Sequence, residues 1–176
     1  MAKNPGKIFE EDFQNSIPPY CLIHRLVDPP QSFHKNNNLR FSWKNPCDYH
    51  VFDSKNRTFW ALELKSTKAK SLSFEDINID GKQPNKEIHK HQIEALIKYG
   101  KFNGVQSGFI LNFRDEKNRT QKTYYQNIKD FVDMTSNIGK KSFNERDLIN
   151  YNAVRINGNK KITRYVWDFD SILNSI

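Results

Sequence analysis

The sequence predicts an α/β domain, a mixed β-sheet with helices packed on it. Three observations carry that expectation. Apolar runs bounded by polar turns recur through the middle of the chain, clearest at Thr58–Lys65 and Ser107–Arg114. Two segments, 5–17 and 86–99, instead repeat their apolar residues at about 100° per residue, the helical period. Although only 36% of residues are hydrophobic, 13 Phe, 7 Tyr and 3 Trp supply enough buried area for a core.

In residues 5–17, Ile8, Phe9, Phe13 and Ile17 share one arc, and Pro18-Pro19 ends the helix. Tyr20–Val27 is apolar enough for a strand. The polar stretch Asp28–Lys44, with Asn36-Asn37-Asn38, reads as a long loop or projecting stalk at about 28–45. Asp48–Asp53 and Thr58–Lys65 read as two strands around the turn Ser54–Arg57. Residues 86–99 form a helix through Ile88, Leu96 and Tyr99, with Gly100 as its stop. Ser107–Arg114 pairs with Lys122–Tyr125 across the turn Asp115–Thr120, and Ile128–Met134 is helical. Ser142 to Glu145 fits a capping box for a helix through Asn150. Val154–Ile156 and Ile162–Val166 flank Asn157-Gly158, a hairpin signal.

At 176 residues the chain is one domain by length. Its net charge is +8 and its pI about 9.4. A basic surface favours polyanions through counterion release, although many soluble lysine-rich proteins share the property. Two cysteines, Cys21 and Cys47, make neither a CxxC pair nor a four-cysteine zinc site, which points to a reduced, cytoplasmic protein. No apolar run approaches the roughly 20 residues that span a bilayer, and the N-terminus lacks a signal-peptide core. The five histidines have no HExxH-type spacing, and Walker and GxGxxG loops are absent.

The informative cluster is Asp48, Glu63 and Lys65. Residues two apart on a strand share a face, so Glu63 and Lys65 point the same way. If Ser54–Arg57 is a four-residue hairpin loop, Asp53 pairs with Thr58 and Asp48 falls opposite Glu63. Two carboxylates and an ammonium at that spacing suit phosphodiester hydrolysis with Mg²⁺, a hard ion that takes oxygen ligands. They also fit an ordinary ion pair on a solvated strand face, but Phe59–Leu62 and Leu64 make this strand apolar, where charges need partners. Gln92 falls inside the apolar arc of its helix and needs a partner, either a backbone group or a metal-site water or phosphate. Glu10, at the edge of the Phe9/Phe13 face, is a third candidate carboxylate or a simple helix-terminus charge, and Glu11 points to solvent.

The segments GKIFEEDF, NPCDYHVF, FWALELKSTKAKSLSF, HKHQIEALIKYGKFNG, GFILNFR, TYYQNIKDF and GKKSFNERDLINYNAVRI run in order over nearly the whole chain. Together they resemble the RecU family of Holliday junction resolvases, a branch of the PD-(D/E)XK nucleases of Gram-positive bacteria and their phages. The resemblance implies a restriction-endonuclease-like fold and a homodimer that cuts four-way DNA junctions with Mg²⁺ or Mn²⁺. It makes Asp48 and Glu63 the metal-binding acids, Lys65 the catalytic lysine, Gln92 the supporting helix glutamine and Glu10 the acid of the first helix. Lys68 resembles a basic residue that follows the active strand. Pro46 stands where a small hydroxylated residue is usual, and Asp28–Lys44 is a short candidate for the family's stalk. Arg25, Lys35, Arg40, Lys68 and Lys70 are the expected phosphate contacts. Other readings left open are a PD-(D/E)XK nuclease acting on ordinary duplex, a non-catalytic basic DNA-binding protein, and a protein-interaction module.

Overall fold

The computed structural model describes residues 4–27 and 45–173. Helix α1 (Pro5–Ser16) starts where the Asn4 side chain accepts the Gly6 N–H, with Pro5 pre-setting the first turn. It ends before Pro18, as the sequence requires. Edge strand β1 (Cys21–Arg25) pairs antiparallel with β2 (Tyr49–Asp53), which pairs antiparallel with β3 (Thr58–Thr67). After β3 come a short strand β4 (Ser71–Ser73), helix α2 (Lys90–Tyr99) and the long strands β5 (Val105–Asp115) and β6 (Thr120–Asn127). Helix α3 (Ile128–Asn137), β7 (Ser142–Asn144), α4 (Glu145–Asn150), β8 (Val154–Ile156), β9 (Gly158–Lys160), β10 (Tyr165–Trp167) and α5 (Asp170–Leu173) follow.

The six-stranded sheet has the order β1-β2-β3-β5-β6-β8. Its β3/β5 junction is parallel and every other pairing in it is antiparallel, so the expected mixed sheet flanked by helices is what the chain builds. The segment from β4 to α2 makes the crossover that a parallel pair demands. Alternation along β3 and β5 divides the core. Ala61, Phe109 and Leu111 pack against Ile93 and Leu96 of α2, Phe131 and Met134 of α3, and Leu148 of α4. Trp60, Leu62, Leu64 and Ile110 face the other way, against Phe9 and Phe13 of α1 and Ile172 of α5.

Three local expectations change. Helix α2 begins at Lys90, not 86, because Ile88 is drawn into a bridge with Phe74 and fills the core from an extended backbone. The capping box near residue 144 exists but is formed by Asn144 and Asp147, since Ser142–Asn144 pairs with β4 as a strand. Asn157-Gly158 is not a hairpin turn. Strand β8 pairs with β6, and the hairpin is β9/β10, closed by residues 161–164. Gly158 is needed for another reason: a Cβ there would lie 2.4 Å from the Trp167 ring.

The 28–45 stalk expectation falls, apart from Asn45, outside the described residues. Cys21 and Cys47 are both free thiols. Among the described residues, no helix is long and apolar enough to cross a membrane.

Candidate functional site

The β2/β3 hairpin sets the site. Asp53 pairs with Thr58 across the Ser54–Arg57 turn, the register expected from loop length, and the ladder runs to Tyr49 opposite Leu62. The Asp53 carboxylate locks the turn by accepting the Lys55 N–H at 2.9 Å. One residue beyond the ladder, Asp48 is held by both neighbours. Its N–H donates to the Leu62 carbonyl at 3.1 Å, and its own carbonyl accepts the Leu26 N–H at 2.8 Å. Its carboxylate Oδ2 accepts the Leu64 N–H at 2.7 Å.

Glu63 and Lys65 share the sheet face that carries α2. Glu63 is only 4% exposed, in an otherwise apolar strand. A carboxylate so buried needs compensation. Lys65 supplies an ammonium 3.0 Å from Glu63 Oε1, and the Gln92 Nε2 amide donates to the same oxygen. The Gln92 carbonyl oxygen accepts the His89 N–H at 2.9 Å, closing a capping box at the start of α2. Gln92 thus meets a backbone group of its own helix and the Glu63 carboxylate at once.

Cys47 joins the two acids. Its buried thiol is pushed up to about 12, by desolvation first and then by the negative charges of Glu63 and Asp48. Glu10 lies on α1, whose Phe9 and Phe13 pack on the sheet face opposite Glu63, and its side chain pairs with Arg25. Desolvation raises its pKa, the Arg25 guanidinium paired with it opposes the rise, and the Asp48 charge adds to it. Among the described residues, no three His, Cys, Asp or Glu side chains form a ready-made metal cage. The acids that could hold an ion here are Asp48 and Glu63, Asp48 already accepting the Leu64 N–H and Glu63 already held by Lys65 and Gln92. Oxygen donors with few carboxylates fit Mg²⁺, which usually keeps several waters.

The expected phosphate contacts divide. Lys68 and Lys70 are exposed where the chain leaves β3 and line an open groove of about 580 Å³. Arg25 is paired with Glu10. Lys35 and Arg40 lie outside the described residues. Glu11 is not simply solvated: it pairs with Arg164 at 3.2 Å.

Sequence reasoning missed two supports. Asp12 is buried and accepts from Arg164 Nε and, at 3.1 Å, from the Tyr165 N–H, fastening α1 to β10. Its partners lie some 150 positions away, and no local pattern announces them. Glu75 accepts the Lys90 N–H at 2.6 Å and meets His89 Nδ1 at 3.2 Å, so it anchors the start of α2 and hence Gln92. Burial pushes the Glu75 pKa upward, but these hydrogen bonds and the two nearby histidines outweigh it and the net shift is downward.

No family model matches the chain. It is 33% identical over 132 residues to the SPbeta prophage-derived uncharacterized protein YotM of Bacillus subtilis (strain 168), a match covering 74% of this chain. The chain spans 60% of the length of that relative. Among solved structures, it overlaps that of Archaeoglobus fulgidus Hjc, a Holliday junction resolvase from an archaeal hyperthermophile, with a TM-score of 0.44 and 14% identity. That overlap covers 82% of this chain and 88% of the archaeal one.

Proposed function

We propose that the chain is a divalent-metal-dependent endodeoxyribonuclease that cuts branched DNA, four-way junctions foremost, as the RecU-like sequence segments imply. The observation that carries this reading is the buried Glu63 carboxylate, held by Lys65 and Gln92 beside Asp48. An ion pair serving stability alone would gain little from being placed there, since buried pairs are often no better than apolar residues.

Asp48 and Glu63 would hold Mg²⁺ or Mn²⁺, with the Leu64 carbonyl beside them and Glu10 as a further acid. Such an ion polarises a phosphate and lowers the pKa of bound water. Lys65 presents its ammonium on the same face as Glu63, where it can orient the attacking water and stabilise charge growing on the phosphorus oxygens. Gln92 holds the Glu63 carboxylate in one orientation, the part an outer-shell residue plays. Tight closure of Asp48 onto the Leu64 N–H fixes the second carboxylate.

The remaining parts of the reading are a single nuclease domain and a cytoplasmic homodimer whose two sites face opposed strands of a junction. A phage or prophage origin is supported by the prophage-derived relative.

The test is cleavage of a synthetic four-way junction and a matched linear duplex in Mg²⁺, by wild type and Lys65→Ala. Wild type is expected to cut the junction preferentially, and the variant to lose roughly 100-fold or more in rate. Equal cleavage by both proteins overturns the catalytic assignment. Equal cleavage of both substrates by wild type overturns junction selectivity and leaves a general nuclease. No metal-dependent cleavage at all favours a non-catalytic DNA-binding protein.

A further inference from the structure

Just past Lys65, the open groove of about 580 Å³ runs between the exit of β3 and the β5/β6 hairpin. We propose that this groove is a track for the sugar-phosphate backbone of the DNA strand flanking the cleaved phosphate. The proposal rests on the nuclease reading above and assigns a second wall of contacts to it.

Position comes first. Lys65 is in register with Leu111, and Thr67 with Phe113. Phe113 is opposite Lys122 on β6, so Lys122 rises from the sheet face that carries Glu63 and Lys65. Lys68 lies three residues beyond Lys65, about 10 Å along an extended chain. A strand whose phosphate sits at Lys65 would thus bring its neighbouring phosphates to the groove.

Charge comes second. Lys68 and Lys70 stand on one wall; Arg114, Lys117 and Lys122 stand on the other. The acids in the groove are already engaged. Asp115 is absorbed by its own turn, accepting the Asn118 N–H at 3.0 Å. Glu116 pairs with Arg114 at 2.9 Å, and Glu145 accepts from Lys122 at 2.8 Å and from the Tyr124 hydroxyl at 2.7 Å. Lys68, Lys70 and Lys117 are exposed, so the balance toward solvent is positive.

Shape comes third. The cations are spread over two separate elements and do not converge on one point. Such a spacing suits a run of phosphates better than one small anion. Arg114 is already engaged, Nε donating to Ser66 Oγ at 3.1 Å and Nη1 pairing with Glu116 at 2.9 Å, so Lys68, Lys70 and Lys117 are the cations the groove offers to solvent.

The experiment measures binding of a fluorescent four-way junction, without divalent cation, across a salt series. Wild type is compared with Lys70→Glu and Lys117→Glu, and with Lys101→Glu, which makes the same charge change near the start of β5, away from the groove. Each groove variant is expected to lose roughly tenfold in affinity and to flatten the salt slope by about one phosphate's worth, while Lys101→Glu stays near wild type. Lys70→Gln and Lys117→Gln, which only neutralise, should show the same order with smaller effects. Groove variants that match Lys101→Glu in affinity and slope overturn the track, even if wild type cleaves DNA. A wild type that neither binds nor cuts DNA overturns the nuclease reading and the track with it.

Discussion

Gln92 joins the backbone of its own helix to the buried carboxylate of Glu63, its oxygen accepting the His89 N–H while its nitrogen donates across to β3. The two jobs can be separated by substitution. Gln92→Glu keeps an oxygen for His89 but sets a second carboxylate against Glu63. It should retain thermal stability near neutral pH and lose 10- to 100-fold in cleavage, the range typical of an outer-shell residue. Gln92→Ala should lose activity and also about 1 kcal/mol of stability, because the cap goes as well. Paired melting and cleavage measurements distinguish the two; equal stability losses would contradict the dual role.

Asp48→Asn tests the second acid. An amide oxygen can still accept the Leu64 N–H, so the fold should change by less than about 1 kcal/mol. Metal-dependent cleavage should fall by more than the roughly 100-fold expected of an outer-shell change. Retained cleavage would remove Asp48 from the metal-holding pair.

Acid should loosen the α4 end of the molecule. Burial pushes the Asp147 pKa upward, but the Lys140 ammonium and the Asn144 N–H outweigh it and the net shift is downward. Glu145 is lowered in the same sense: burial raises it, and Lys122 with Tyr124 outweighs that rise. A carboxylate lowered on folding stabilises fully above its unfolded value, and that contribution disappears as pH falls through the folded value. Denaturant midpoints measured from about pH 6 to about pH 3 should therefore decline, and Asp147→Asn should flatten the decline. An unchanged slope would show that Asp147 does not carry it.

Gly158→Ala should destabilise by about 1–3 kcal/mol, since the new methyl group collides with the Trp167 ring at 2.4 Å. For a chain of this length the melting temperature should drop by roughly 2–10 °C. A melt within a degree of wild type would mean that the C-terminal hairpin shifts freely.

Much of the site was legible because turn length sets register. Ser54–Arg57 places Asp53 against Thr58, and the approach of Asp48 to the Glu63–Leu64 stretch follows by counting. Gln92 betrayed itself as a polar residue on an apolar arc. What stayed hidden depends on distant partners. Ile88 mimics helical period yet lies extended, because Phe74 pairs with it from the other side of a loop. Asn157-Gly158 looks like a turn because sequence cannot show that Trp167 will close over the glycine. Asp12 reads as one more helix charge until Arg164 arrives from the far end of the chain.

The parallel contact between β3 and β5 orders events during synthesis. Glu63 is positioned early, through a short local hairpin with β2, whereas Gln92 rides on the traverse that must be laid down before β5 can dock. Pairings of high sequence separation form late. A chain that stops short of residue 92 therefore carries Glu63 without the amide that holds its carboxylate.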